Sequence, residues 1–173
     1  FKTDTDVGTD VSAEYLKRTN DAIVVAIGTP AARDLTIPGR ELAGIHLALA
    51  FLRGQNRFLT GETSTNPISA KDKRVLVIGG GDTGSDCVGT AIRHGAKSVT
   101  QIEIMPKPPV GPDDPKNPWP NWPRTLKTTS SHEEGCVRRW NINSLEFLGK
   151  DGKLTGVRVQ PIDWKPNPEG GRP

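Results

Sequence analysis

The chain has 173 residues, which is enough for one domain or for one domain with part of another. Its 23 basic and 20 acidic residues give a formal charge of +3, and this even balance argues against nucleic acid as a partner. The sequence contains no apolar run of about 18 residues and no signal-peptide pattern, so we expect a cytoplasmic protein that does not enter a membrane.

The N-terminal region begins at Phe1, without an initiator methionine, and we expect the chain to be cut from a longer one. Residues 10–17 predict a short helix with Asp10 or Ser12 as its N-cap. The run Asp21–Gly28 is strongly apolar and is followed by a turn signal, which is typical of a buried strand.

Residues 33–71 predict a turn, a helix and a loop. Ile37-Pro38-Gly39 has the composition of a tight turn. Apolar residues recur through 45–56 and indicate a helix that ends near Gly54. Residues 61–70 are rich in threonine, serine, asparagine and proline, so we expect a loop there and a boundary between two lobes near residue 71.

The centre of the chain has the pattern of a parallel strand–helix–strand unit. Arg74–Ile78 is a short β-branched run, and Val99–Ile104 is a second one. Residues 85–94 between them have helical spacing, and Gly95 is placed to end that helix in a left-handed conformation. The apolar face of the predicted helix consists of Gly84, Cys87, Val88, Ala91 and Ile92.

Between the first strand and this helix lies G-x-G-x-x-G, with glycines at 79, 81 and 84. In such loops the first glycine allows a tight turn, the second lets the backbone approach a pyrophosphate, and the third lets helix and strand pack closely. The helix N-terminus then faces the phosphates. Glu103 follows Gly84 by 19 residues, near the place where a carboxylate binds the adenosine ribose.

The pattern therefore predicts dinucleotide binding, and the alternative is a glycine-rich turn that binds nothing. The candidate site residues, for the pyrophosphate and then for the ribose, are Gly79, Gly80, Gly81, Asp82, Thr83, Gly84 and Glu103.

The two cysteines, Cys87 and Cys136, form no C-x-x-C, which argues against a local redox dithiol or a four-cysteine cluster in this chain. We expect Cys87 to be a buried helix residue and no disulfide to join the two. We identify no metal-ligating set and no catalytic acid, base or nucleophile in the sequence.

The segment from Pro106 to Pro123 holds eight prolines, which exclude a helix or a central strand. It also contains Trp119 and Trp122. Packing of these rings on the protein itself is favoured over recognition by an aromatic-lined groove of a partner.

The C-terminal third predicts one short helix and three strands. Residues 128–135 indicate the helix, with Ser130 as N-cap, Glu133 three residues later and His132 exposed and not catalytic. Val137–Ile142 indicates a strand. The runs 145–148 and 154–159 flank Asp151-Gly152, which is typical of a β-hairpin, and Asn167–Pro173 is expected to be mobile.

These residues resemble the small (β) subunit, or C-terminal domain, of glutamate synthase, a branch of the flavin oxidoreductases with two dinucleotide domains. The resemblance covers nearly the whole chain. The segments that carry it are Asp21–Gly28, Ile37–Gly39, Val77–Cys87, Arg93–Ala96, Asn117–Pro120 with Trp122-Pro123, and Ser130–Gly135.

The resemblance implies that NAD(P)H gives hydride to FAD, and that iron–sulfur clusters pass electrons to a large (α) subunit that makes glutamate from 2-oxoglutarate and glutamine. It implies an α/β fold with a Rossmann-like, three-layer nicotinamide-binding domain at 72–173, lacking its last strand. Residues 1–71 would be a partial FAD-binding lobe and linker, in which Gly28 resembles a glycine that approaches the flavin.

FAD and the clusters would belong to the full-length subunit, since its FAD loop and cluster cysteines are expected upstream of this chain. The isolated fragment would then be inactive, and Glu103 would favour NADH over NADPH. Two alternatives remain open: a related FAD-dependent NAD(P)H oxidoreductase with another acceptor, and a dinucleotide-binding module without turnover. Four-cysteine motifs in a longer chain would favour the electron relay.

Overall fold

In the computed structural model, residues 1–28, 31–66, 68–111 and 125–165 are described. The chain forms two compact units, at 1–32 and 33–173. The proline-rich segment beyond Gly111, with Trp119 and Trp122, and the tail from Asn167 lie outside the described residues. The predictions made for them therefore stay predictions.

The first unit contains α1 (Ala13–Thr19), which confirms the predicted N-terminal helix. Ser12 is its N-cap, and the Ser12 hydroxyl accepts a hydrogen bond from the backbone N–H of Tyr15 at 3.1 Å. Asp10 instead accepts from the backbone N–H of Asp6 within the preceding turn. Of the two candidate caps, Ser12 is therefore the one the structure uses.

The strand predicted at Asp21–Gly28 is wrong for this chain. Its residues form no strand, and Val24 and Ile27 are 89% and 83% exposed. The described part of this unit offers no strand to pair with them. A β-branched run has strand propensity, but without a neighbouring strand it gains neither ladder hydrogen bonds nor burial.

The second unit contains a parallel sheet and a separate antiparallel hairpin. Its elements in chain order are α2 (Ala48–Leu59), β1 (Arg74–Ile78), α3 (Gly81–Arg93), β2 (Ser98–Ile102), α4 (Ser130–Glu133), β3 (Val137–Arg139), β4 (Ile142–Lys150) and β5 (Lys153–Pro161). The sheet order is β1-β2-β3, and its strands are all parallel. The carboxyl ends of β1 and β2 are level, since Ile78 pairs with Ile102.

The hydrophobic core lies between α3 and one face of the sheet. The buried residues Val88 and Ala91 of α3 pack with Val99 of β2, and Val88 is 0% exposed. Burying one valine side chain stabilises the fold by roughly 1.5–3 kcal/mol. Phe51 of α2 packs on the same cluster, so two helices cover this face.

The hairpin β4–β5 contributes a third layer. Val157 and Val159 of β5 line a cleft of about 240 Å³ together with Leu76, Thr100 and Ile102 of the sheet. These three sheet residues alternate along the strands with the residues that face α3. The layers are thus helices, parallel sheet and hairpin, which confirms the predicted α/β, Rossmann-like, three-layer class.

Two predicted turns are confirmed by backbone conformation. Asp151 and Gly152 have φ of 52° and 72°, the left-handed pair that a tight hairpin turn requires. Gly39 has φ of 82° in the turn that starts at Ile37. Phe147 of β4 donates its backbone N–H to the Pro38 carbonyl at 2.8 Å, so this turn is attached to the hairpin.

Several boundaries differ from the prediction. Helix α2 continues through Gly54 to Leu59, because one interior glycine costs only ~1 kcal/mol relative to alanine. Helix α3 begins at Gly81 rather than at residue 85. Strand β3 ends at Arg139, because Asn141 has φ of 58° and turns the chain into the hairpin.

The cysteines are free thiols. Cys87 is buried on α3 as expected, and burial raises the pKa of its thiol to about 11. A thiol with this pKa stays protonated at neutral pH and is a poor nucleophile. Among the described residues, no helix is long and apolar enough to cross a membrane.

Candidate dinucleotide site

The glycine loop leaves β1 and enters α3 at the carboxyl edge of the sheet. Gly79 donates its backbone N–H to the Ile102 carbonyl at 2.9 Å, which ties the loop to the end of β2. Gly79 and Gly81 have φ of +111° and +75°, conformations that residues with a Cβ rarely adopt. Among the described residues, no atom would lie within 4 Å of a Cβ on either glycine, so the loop borders open space in this part of the chain.

Helix α3 presents its N-terminus at this open space. Gly80 is the N-cap, with extended backbone and no side-chain hydrogen bond to the first turn. Asp82 and Thr83, in that turn, are exposed. The first N–H groups of a helix have no intrahelical partner and carry the positive end of its dipole, so this end suits a phosphate.

Gly84 allows close packing between α3 and the sheet, as the motif predicts. A Cβ at this buried position would lie 2.9 Å from Nε2 of Gln101 and 3.0 Å from the Gly79 carbonyl oxygen. The first distance is shorter than real Cβ contacts, and the second is tighter than nine in ten of them. A side chain at residue 84 would therefore push the helix away from β2 and disturb the loop.

Glu103 lies directly after β2 and faces the loop. Its backbone N–H donates to the Arg139 carbonyl at 2.9 Å, and its side chain is 20% exposed. A Cβ on Gly80 would overlap the Glu103 carboxylate, so the carboxylate rests against the bare Gly80 backbone. The structure thus brings together the glycine loop and the acid selected from the sequence.

Arg138 is the residue of this region that sequence analysis missed. Its Nη2 lies 3.5 Å from Oε1 of Glu103, and both side chains are largely buried. Its guanidinium also donates to the Lys127 carbonyl at 3.0 Å and lies 5.0 Å from the centre of the Trp140 ring. Arg138 pairs with Gln101 in the parallel register of β2 and β3, information that only the strand pairing supplies.

A chain of polar side chains runs behind the loop from Gln101 to Ser85. Gln101 donates to the Gly79 carbonyl at 3.0 Å, and its Oε1 lies 3.0 Å from Nε2 of His132. Nδ1 of His132 accepts from the backbone N–H of Thr129 at 3.2 Å. The Thr129 hydroxyl then contacts the Ser85 hydroxyl on α3.

His132 is therefore not the exposed helix residue that the sequence suggested. Thr129, not Ser130, is the N-cap of α4, which places His132 at the third helical position and turns it toward β2. Burial lowers the pKa of His132 below its usual 6.5; the Arg138 guanidinium lowers it further, and the Glu103 carboxylate opposes them. His132 is thus neutral at pH 7.

Gly28 lies in the first compact unit. It has φ of +65°, and among the described residues no atom would lie within 4 Å of a Cβ there. No cluster of three potential metal ligands occurs in the described ranges.

Comparison with known proteins gives one family and a set of close relatives. Residues 2–116 match the family model described as pyridine nucleotide-disulphide oxidoreductase. Over 94% of its length the chain is 44% identical to an NADPH glutamate synthase small chain of Mycobacterium tuberculosis. Over 98% it is 39% identical to an NADH glutamate synthase of Saccharomyces cerevisiae. Over 99% it is 33% identical to an NADPH glutamate synthase small chain of Escherichia coli.

The chain spans about a third of the two bacterial relatives, 34% and 35% of their lengths, and 8% of the yeast one. The expected similarity to glutamate synthase small chains is therefore confirmed.

Proposed function

Because the chain belongs to the pyridine nucleotide-disulphide oxidoreductase family, we propose that it is the nicotinamide-dinucleotide-binding part of a glutamate synthase small subunit. One observation carries the proposal. The loop 79–84 borders open space at the N-terminus of α3, and the Glu103 carboxylate lies against it. The arrangement offers the N–H groups of a helix N-terminus to a pyrophosphate and a carboxylate to an adenosine ribose.

The residues present fit this cofactor. Gly79, Gly80 and Gly81, with Asp82 and Thr83, would hold the pyrophosphate, Gly84 allows the close packing of α3, and Glu103 would hold the ribose. In the complete subunit the chemistry supplied by the cofactors is hydride transfer from NAD(P)H to FAD and electron relay through iron–sulfur clusters. We propose the large subunit, which makes glutamate from 2-oxoglutarate and glutamine, as the partner, and the cytoplasm as the location.

We propose that residues 1–71 form a partial FAD-binding lobe and linker, and that residues 72–173 form the nicotinamide-binding domain. The strand–loop–helix unit that supports the second assignment starts at Arg74. Helix α2 packs against α3, which suits a linker that borders the nicotinamide domain. Gly28 would approach flavin in the complete subunit.

We expect the chain to bind NADH without other components. At a ligand concentration about a hundred times its dissociation constant, NADH should raise the free energy of unfolding by ~2.7 kcal/mol. Thermal or denaturant unfolding with and without saturating NADH measures this gain. A chain that folds but gains nothing from either NADH or NADPH would contradict the proposed function.

We also expect the purified chain to carry no flavin. The sequence contains one G-x-G-x-x-G, and the proposal gives that loop to the nicotinamide cofactor. Visible flavin absorption of the protein, before and after incubation with FAD and gel filtration, measures occupancy. Stoichiometric flavin on this chain would show that 1–71 is a working flavin site or that loop 79–84 binds FAD.

A further inference from the structure

Gln101 is a polar side chain on the central strand of the parallel sheet. It lies on β2, is 1% exposed, and neighbours the buried Val99 and Ile102 along the strand. A buried amide is costly unless both its donor and its acceptor have partners. Both do: one end bonds the Gly79 carbonyl and the other bonds His132.

Two backbone groups determine which atom donates and which accepts in each hydrogen bond of this series. The Gly79 carbonyl can only accept, so the amide nitrogen of Gln101 must point to it and Oε1 must accept from His132. The Thr129 backbone N–H can only donate, so Nδ1 of His132 must accept and Nε2 must carry the proton. Each of these three hydrogen bonds has one donor and one acceptor when His132 is neutral, the form favoured by its lowered pKa.

The hydrogen bond from Gln101 also sets the direction of the next N–H. In a planar trans peptide, the carbonyl of one residue and the N–H of the next point to opposite sides. Because the Gly79 carbonyl is held toward Gln101, the Gly80 N–H points away from the core. Within the part of the chain that the structure describes, this N–H has no acceptor.

We propose that Gln101, held in place by His132, is a positioning residue that aims the Gly80 N–H at the pyrophosphate of the bound dinucleotide. This inference rests on the proposed function. Glycines on both sides leave the Gly79–Gly80 peptide free to rotate, since neither has a Cβ to restrict it. The Gln101 hydrogen bond removes that freedom before the ligand arrives, so its loss lowers affinity through preorganisation.

The test compares Gln101→Met with a matched control, Gln55→Met. At the other end of α3, Nε2 of His94 lies 2.7 Å from Oε1 of Gln55, and Nδ1 of His94 accepts from the Ala70 N–H. Both pairs join a glutamine Oε1 to a histidine Nε2, but Gln55 is half-buried, its Oε1 also accepts from Asn66 at 2.6 Å, and this pair does not touch the glycine loop. Each methionine variant removes one pair with little change in side-chain volume.

NADH titration should give a dissociation constant about tenfold higher for Gln101→Met, which corresponds to ~1.4 kcal/mol, and an unchanged one for Gln55→Met. Gln101→Glu keeps an acceptor for His132 but cannot donate to Gly79, so it should lose at least as much affinity. Both methionine variants should lower the free energy of unfolding, so stability alone cannot produce this difference.

If Gln101→Met does not fold, His132→Ala on the half-exposed helix α4 provides the second measurement. Its NADH affinity should be about threefold lower than that of wild type, which corresponds to ~0.7 kcal/mol. Equal NADH affinity of wild type, Gln101→Met and His132→Ala would overturn the positioning role. Failure of the wild type to bind NADH or NADPH would instead overturn the proposed function on which the inference rests.

Discussion

Gly81→Ala is expected to weaken NADH binding at least tenfold while the chain stays folded. Gly81 begins α3 where the loop borders open space, and a methyl group there would occupy the place of the pyrophosphate. The backbone at φ of +75° adds a folding cost of roughly 1–2 kcal/mol for any residue with a Cβ. Binding and folding must therefore be measured separately.

Gly95→Ala is the matched control for this prediction. Gly95 follows the other end of α3 with φ of +80°, and a Cβ there would likewise lie more than 4 Å from every atom of the described ranges. Both substitutions should lower the free energy of unfolding by a similar amount. The measurement is NADH titration and denaturant unfolding of the two variants beside wild type. Similar NADH affinities for the two variants would show that the loop does not bind the pyrophosphate.

The central unit could be predicted from the sequence because its determinants are local. The β-branched run at 74–78, the glycine spacing of 79–84 and the left-handed Gly95 act over a few residues each. The hairpin turn at Asp151-Gly152 is local in the same sense. In each case the residues that determine the conformation are neighbours in the chain.

The predictions that were wrong concern segments whose conformation depends on contacts with residues distant in the sequence. The run at 21–28 has strand propensity, but the described part of its unit contains no partner strand. Gln101 and His132 are 31 residues apart, and their hydrogen bond depends on how α4 packs on α3. Gly89, a glycine in the interior of α3, is one sequence signal that could have indicated this packing. A Cβ at residue 89 would lie 2.8 Å from the hydroxyl of Ser131 in α4, so α4 can pack this closely only against a glycine.

The ion pair between Glu103 and Arg138 affects the expected choice between NADH and NADPH. A carboxylate at the ribose accepts hydrogen bonds from both hydroxyls of NADH and repels the 2′-phosphate of NADPH. Two unit charges about 4 Å apart repel by ~4 kcal/mol at an effective dielectric constant near 20. Lys107, four residues after Glu103 in the sequence, is one cation that could reduce this repulsion. The structure adds Arg138, 3.5 Å from the carboxylate.

We therefore expect wild type to bind NADH about tenfold more tightly than NADPH, a difference of ~1.4 kcal/mol in binding free energy. This difference is smaller than the full repulsion of ~4 kcal/mol, because the nearby cations reduce it. The relatives do not decide the matter, since the yeast protein is named for NADH and the two bacterial ones for NADPH. We expect the charges around residue 103 to set the preference of this chain. Titration of wild type with both cofactors at one ionic strength measures the ratio.

Glu103→Ala should narrow this ratio or reverse it. The substitution removes the repulsion and leaves Arg138 without its carboxylate partner, so a 2′-phosphate could take the place of that carboxylate. Glu146→Ala is the control for the change in net charge, because Glu146 pairs with Arg158 within the hairpin at 3.2 Å. Glu146→Ala should leave the ratio of the two dissociation constants unchanged. The opposite outcome is a wild type that binds NADPH as tightly as NADH, with a ratio of dissociation constants that Glu103→Ala does not alter. That outcome would mean that the Glu103 carboxylate does not contact the ribose. The charges that select the cofactor would then lie elsewhere in the subunit.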